Sequence, residues 1–282
     1  MCTGSLSAIH LASRDNHDGV SVDRRSRINW TIDVSRHSLK KRAKVNAIRR
    51  MLPRVVNRCL EVGSDTGYVG LCLRDLGGQW THLESDPIRR EAAGRILANV
   101  RSMSLDPPVL PEPSDTFDTV VAADIIEHVN DDRGLLEECR RVMTPDGRII
   151  VTTPARNNGM AMLRRKAGIS DQSLGHVRPG YSRTELEALL VSAGLTPEAC
   201  VSFGGVVAEV LDILAHTCYR LVANRRDARP TLGPEDRRHF SRLRPLWRMY
   251  RILWPIIVGL DRLESRIGVA GPLAWCCLAR RT

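Results

Sequence analysis

Between residues 55 and 203 the chain switches repeatedly between two hydrophobic patterns. Short strand-like runs, of which "FDTVVAAD" is almost wholly apolar, alternate with longer stretches where apolar residues recur every three or four positions. "RCLEV" (58–62), "WTHLE" (80–84), "FDTVVAAD" (117–124), "RIIVTTP" (148–154) and "TPEACVSF" (196–203) are of the first kind. They read as strands, and the nearly uninterrupted ones suit a parallel sheet covered on both faces. The second kind predicts helices over 38–52, 69–77, 87–100, 131–143 and 182–194. Pro53, Gly77 with Gly78, and Gly194 mark ends, Pro87 sits in a first turn, and Ser182 offers an N-cap before an acidic turn. "PDG" (145–147) reads as a turn. Strand and helix in alternation predict an α/β protein with a doubly wound, mostly parallel sheet.

The rhythm changes beyond residue 203. The stretch "VSFGGVVAEVLDILAHTCY" is apolar but broken by Glu209 and Asp212. In "PLWRMYRILWP" (245–255), helical spacing puts Leu246, Met249, Tyr250 and Leu253 on one side and Arg244, Arg248 and Arg251 on the other, with Trp247 and Trp254 at the borders. That is the layout of a helix lying in a membrane interface, and equally of an amphipathic helix packed on its own domain. Its longest uncharged run, "ILWPIIVGL", is too short to span a bilayer. "PLAWCCLAR" (272–280) reads as a final strand. The expected organisation is a mobile polar segment (1–30), a core (31–203), a basic helical insertion (204–271) and a strand returning to the sheet (272–282).

Composition sharpens this picture at three points. Hydrophobic residues make up 43% and aromatics only 4%, which disfavours a β-sandwich and fits an α/β core. The net charge of +10 is concentrated at the end: residues 220–282 hold fourteen Arg against five acids. Such a tail suits an anionic membrane surface. No nucleic-acid module accompanies it, so nucleic acid is the less favoured partner. The eight cysteines contain no CxxC pair, and no metal site is read from the sequence. They are expected to be reduced thiols in a cytoplasmic protein, because the first residues show no basic-then-apolar signal segment.

The chemistry centres on "LEVGSDTGYVG" (60–70), a glycine-bearing turn after the first strand. Ligands of doubly wound sheets sit at the carboxyl ends of strands, and glycine allows close backbone approach. Glu84 ends the second strand about twenty residues on, where an acid holds a ribose diol. Asp106 is placed either to meet an adenine amino group or to serve as an ordinary loop acid. The nicotinamide fingerprint is not met, since Asp65 occupies a position that fingerprint gives to glycine.

The runs "CLEVGSDTGYVG", "HLESDP" and "FDTVVAADIIEHVNDDRGLLEECRRVMTPDGRIIVTTP" resemble the class I S-adenosylmethionine-dependent methyltransferases over roughly residues 55–200, within the small-molecule branch that includes quinone-biosynthesis O-methyltransferases. The resemblance implies a seven-stranded Rossmann-like fold and S-adenosylmethionine as cofactor. Glu61, Gly63 and Gly67 would frame its methionine end, Glu84 its ribose, and Asp106 its adenine, while Ala123 and Asp124 would end the fourth strand beside the sulfonium. Asp65 departs from the pattern: its carboxylate would either repel the cofactor's carboxylate or help hold its ammonium group. Methyl transfer is an in-line displacement that needs alignment, and a base when the acceptor is a hydroxyl. His128, after the fourth strand, and His176, in the loop 155–181, are the candidate catalytic residues. Structural alternatives are a turn-pinning role for His128 and a packing role for Tyr181. The expected acceptor is a small molecule, apolar or lipid-linked, met at the cytoplasmic face of a membrane. A non-catalytic interaction module on the same fold is the alternative.

Overall fold

The computed structural model describes residues 32–156, 160–171, 175–223, 243–267 and 272–282. The predicted N-terminal segment, part of the 155–181 loop and the centre of the insertion fall outside those residues. Helix α1 (Leu39–Met51) leads into strand β1 (Arg58–Val62), followed by α2 (Tyr68–Leu73), β2 (Gln79–Glu84), α3 (Pro87–Gly94) and β3 (Val100–Ser102). Then come β4 (Phe117–Ala123), α4 (Asp132–Val142), β5 (Met143–Pro154), α5 (Ala161–Lys166), α6 (Arg183–Ser192) and β6 (Leu195–Phe203). The insertion contributes α7 (Val206–Ala223) and α8 (Arg244–Ile267), and β7 (Ala274–Arg281) closes the chain.

The seven strands lie in the order β3-β2-β1-β4-β5-β7-β6. All neighbours are parallel except β7, which runs antiparallel between β5 and β6. Chain order reverses between β1 and β4, so their carboxyl ends open the crevice where ligands of such sheets bind. One face of the sheet is covered by α1, whose Ala47 and Ile48 pack with Val121, Ile150 and Cys276. The other is covered by α4 and α6 through Leu135, Leu136, Leu186 and Leu190. The local signals act as expected: Ser38 caps α1, and Ser182 and Glu185 form a reciprocal capping box on α6.

Three readings of the core need correction. The helix predicted over 87–100 stops at Gly94, and Val100 starts β3 instead. Ile96 and Leu97, which prolong the helical pattern in sequence, are spent on contacts around Gly67. The "PDG" turn lies within β5, as an irregularity where the register passes from Phe117↔Met143 to Thr119↔Arg148. Cys200 and Cys277 are not reduced thiols. They face each other across β6 and β7, Cα atoms 4.1 Å apart, and are disulfide-bonded.

Both described parts of the insertion are helical. Lys40 of α1 reaches Glu209 at 2.9 Å and Asp212 at 2.8 Å on α7, and Arg164 adds a 3.0 Å contact to the buried Glu209. The N-terminus of α7 is closed by Glu264 of α8, which accepts from the amides of Val206 and, at 2.9 Å, Val207. The two tryptophans of α8 are partly buried. Trp247 and Trp254 lie edge-on to His37, with centroids 5.5 and 5.1 Å away, and the Tyr250 hydroxyl donates to the His37 carbonyl. No helix among the described residues is long and apolar enough to cross a membrane.

Candidate active site

The turn after β1 is built by two left-handed glycines with one left-handed aspartate between them: Gly63 (φ 80°), Asp65 (φ 49°) and Gly67 (φ 86°). A side chain at Gly63 would press on Ile125, and one at Gly67 on Ala93 and Leu97, so both positions need glycine for space as well as for φ. Aspartate is among the residues that best tolerate the left-handed region, which accounts for Asp65. The amides of Gly63 and Ser64 donate to the Leu83 carbonyl, pinning the turn to β2.

Glu84 completes the link. It is buried, and its carboxylate accepts from the Asp65 amide at 2.7 Å and the Asp86 amide at 3.0 Å. Burial raises its pKa, opposed by those two amide bonds. The predicted ribose acid therefore also fixes the turn. The Asp65 carboxylate is half-exposed and stands between Lys41 Nζ (3.5 Å) and Arg89 Nε (3.7 Å). Desolvation pushes its pKa up, but these cations outweigh that and hold it below the ordinary value. Two cations around one anion leave a positive balance, so Asp65 does not close this end of the crevice to a carboxylate.

Glu61 is wholly buried at the end of β1, its Oε2 2.6 Å from His82 Nδ1 on the next strand. Burial raises its pKa, and the His82 contact works against that rise. Its Oε1 and the hydroxyl of buried Ser64 have no hydrogen-bond partner among the described residues. Unsatisfied buried polar atoms at a backbone turn suit a ligand rich in donors and acceptors. S-Adenosylmethionine, with its ammonium, carboxylate and ribose hydroxyls, fits this donor set. Asp106 is exposed at the turn of a small hairpin, Ser104–Leu105 with Pro108–Val109, that follows β3.

At the end of β4, Ala123 is buried and Asp124 turns out of the strand with φ 50°. Its amide and carboxylate both engage Thr152, the carboxylate accepting from Oγ1 at 2.7 Å, and its other oxygen meets the Lys44 ammonium of α1. Desolvation opposes ionisation of Asp124, yet Lys44 holds its pKa below the ordinary value. Lys41 and Lys44, one helical turn apart on α1, thus face the ends of β1 and β4. Sequence reasoning marked α1 only as a helix over 38–52 and missed this placement, which depends on how the helix docks.

The next turn, Ile126–His128, holds Glu127 and His128. His128 Nδ1 donates to the Gly175 carbonyl at 2.9 Å, which ties this turn to the loop that carries His176. Its ring also meets His176 edge to face, centroids 4.8 Å apart, so the two catalytic candidates share one place. Burial and the neighbouring His128 depress the His176 pKa to about 4. Glu127, which sequence reasoning passed over, is wholly buried, and desolvation with the adjacent Asp124 charge raises its pKa to about 8. Tyr181 is buried, donates to Asp132 at 2.6 Å and accepts from Arg178 at 2.8 Å, which marks it as a packing residue.

A family model described as a methyltransferase domain matches residues 35–199, more than half of the chain. Among curated proteins, the mitochondrial ubiquinone biosynthesis O-methyltransferase of Bos taurus is 30% identical over 106 residues, covering 36% of this chain and 28% of that protein. The corresponding enzyme of Xanthomonas euvesicatoria is 25% identical over 152 residues, covering 50% of this chain and 63% of its own length. The chain thus spans less than two thirds of these relatives. Among solved structures, an S-adenosylmethionine-dependent methyltransferase from Archaeoglobus fulgidus aligns with a TM-score of 0.52 at 16% identity, over 84% of this chain and 92% of that one. The [4+2]-cyclase SpnF aligns with a TM-score of 0.53 at 17% identity, over 84% and 79%. These last two likenesses concern the fold. Together with the turn at 60–70 and the 3-2-1-4-5-7-6 sheet, the family match makes this chain a member of the class I S-adenosylmethionine-dependent methyltransferases.

Proposed function

We propose that the protein transfers the methyl group of S-adenosylmethionine to a small acceptor with a large apolar portion, taken from an anionic lipid surface. When bound, the cofactor supplies an electrophilic methyl group on a sulfonium, and the chain supplies position. Glu84 holds a ribose diol, Glu61 and Ser64 meet the methionine end, and the Lys41–Arg89 pair offsets the cofactor's carboxylate against Asp65. Lys44 and Thr152 keep Asp124 ionised and fixed at the end of β4, beside the reacting centre. The acceptor enters over the same strand ends, where Glu127, His128 and His176 meet.

The observation that carries the lipid-surface reading is the outer face of α8. Leu246, Met249, Leu253, Ile256, Leu260, Leu263 and Ile267 recur at alternating spacings of three and four and are 40–64% exposed. The sequence reading placed the apolar stripe close to here, but Tyr250 and the tryptophans belong to the packed face. Arg248, Arg251, Arg262 and Arg266 are exposed along one flank of the stripe. Attraction of each to anionic headgroups contributes about 1 kcal/mol near the surface, which with the buried apolar side chains gives reversible binding. The test is flotation with anionic and with neutral vesicles, followed by transfer of labelled methyl from the cofactor into an organic extract of cell lipids. Flotation confined to anionic vesicles, with label in the organic phase, is expected. A protein that stays with the soluble fraction and sediments as a stable dimer would assign the stripe to a second copy of the chain instead.

A further inference from the structure

We propose that Lys44 selects the acceptor: its ammonium binds an anionic group at the reacting end of the crevice, and the acceptor class is an acid with an apolar chain. The inference deepens the methyl-transfer reading and rests on it. Lys44 reaches the site from α1. One helical turn further along, Ala47 and Ile48 pack against the sheet, which fixes the helix and with it the place of the lysine. The Lys44 side chain is only 18% exposed.

An ammonium carries three N–H donors. Among the described residues Lys44 has one hydrogen-bond partner, Asp124 Oδ2. That partner cannot turn to meet more of them. The other Asp124 oxygen accepts from Thr152 Oγ1 at 2.7 Å, and the Asp124 amide donates to the Thr152 carbonyl at 2.9 Å. The contact therefore anchors the ammonium without using it up. Unmatched donors on a mostly buried cation are costly, and a ligand with oxygen acceptors satisfies them. The neighbouring cations are already committed. Lys41 and Arg89 flank Asp65 at the methionine end. Arg164 is spent on the buried Glu209, and Arg178 on Asp132, Tyr181 and the carbonyls of Val129 and Asn130.

Charge balance names the class of ligand. Burial disfavours the charged form of Lys44, but Asp124 outweighs it and holds the pKa above the ordinary value, so the lysine stays protonated. Desolvation pushes Glu127 up to about 8 and His176 down to about 4, so both are mainly uncharged at neutral pH. Lys44 and Asp124 then cancel, and the cofactor's sulfonium makes the reacting end positive by one. Any proton on His128 adds to that. A bound anion restores neutrality, whereas a protonated amine doubles the excess in a cleft where like charges repel more strongly than in bulk water. An acid with an apolar chain is also a source of the negative charge on a lipid surface that the α8 arginines favour.

The test uses full-length protein saturated with S-adenosylmethionine near neutral pH. Three probes of one chain length, decanoate, decanol and decylamine, are titrated by calorimetry below their micellar concentrations. Decanoate should bind at least tenfold more tightly than decanol, the discrimination expected of one charge-assisted hydrogen bond, and decylamine more weakly than either. Lys44→Met should bring decanoate down to the level of decanol, and Lys44→Arg, which keeps the charge, should retain most of the preference. Parent protein that binds decanol or decylamine as tightly as decanoate, or binds none of the three, would overturn the proposal, and that comparison needs no variant. A preference for decanoate that survives Lys44→Met in folded protein would also overturn it, because the selectivity would then belong to the arginines of α8. Failure of the methyl-transfer reading would register separately, as parent protein that does not take up S-adenosylmethionine.

Discussion

Replacing Gly70 by alanine should damage the core beneath the cofactor turn far more than one methyl group suggests. A Cβ at this position would lie 2.5 Å from Glu61 Oε2, 2.6 Å from His82 Cε1 and 2.8 Å from His82 Nδ1. Neither neighbour has room to retreat, because Glu61 and His82 are both buried and are bonded to each other at 2.6 Å. Forcing an extra methyl group into a packed core costs about 1–3 kcal/mol. Leaving a buried polar atom of that pair without its partner costs about 1–3 kcal/mol. Part of each cost overlaps, so we expect a loss of roughly 3 kcal/mol. At about 2–4 °C per kcal/mol for a chain of this size, the unfolding midpoint should fall by roughly 10 °C in calorimetry or by near-ultraviolet dichroism. Gly94 is the matched control. Nothing lies within 4 Å of a Cβ there and its φ is ordinary, so Gly94→Ala should hold or raise stability by about 0.5–1 kcal/mol. A Gly70→Ala protein that melts within 1 °C or so of the parent would refute the claim that α2 packs directly on the Glu61–His82 pair.

Asp65→Gly should leave cofactor affinity within about threefold, because its exposed contacts with Lys41 and Arg89 are each worth about 0–1 kcal/mol and glycine accepts the same φ; isothermal titration decides, and complete loss would make the carboxylate a cofactor ligand. Leu253→Ser with Ile256→Ser and Leu260→Ser should abolish flotation with anionic vesicles while the melting midpoint stays close to the parent's, since all three side chains are exposed; unchanged flotation would remove the stripe from the account. Lys40→Ala should lower stability by about 2 kcal/mol and speed proteolysis of α7, less than a fully orphaned charge because Arg164 stays on Glu209. Burial opposes ionisation of Asp212, but Lys40 holds its folded pKa below the ordinary value, so its contribution is present above about pH 4 and is lost as pH falls through the depressed value. The parent should therefore lose more stability than Lys40→Ala on acidification below that point, and parallel pH profiles would contradict the pairing.

Much of the sheet was legible because its signals are local. "RCLEV" is β1 residue for residue, and Ser182 with Glu185 starts α6 as a capping box. What escaped depends on distant parts of the chain. Helix α3 looks longer in sequence because Ile96 and Leu97 keep its period, yet their side chains are needed under Gly67. On α8 the three-and-four spacing was visible, but which face is packed is decided by His37, far away in sequence. The candidate cofactor acids are read from spacing along consecutive strands. Lys44 against Asp124, and His176 against Glu127 and His128, join segments that no spacing connects. Glu127 did carry one signal: an acid beside a histidine at the end of the fourth strand.

The central claim is that the crevice over β1, β2 and β4 holds S-adenosylmethionine. The most direct measurement is calorimetric titration of the folded full-length protein with S-adenosylmethionine and with its demethylated product, in parallel with Glu84→Ala. We expect micromolar binding of both ligands to the parent. Glu84 accepts the amides of Asp65 in the turn and of Asp86 beside it and is the acid proposed to hold the ribose; losing hydrogen bonds to a charged group costs about 1.5–3 kcal/mol, so the variant should bind at least tenfold more weakly. Parent protein that is folded yet takes up neither ligand, or a Glu84→Ala protein that binds as the parent does, would contradict the account.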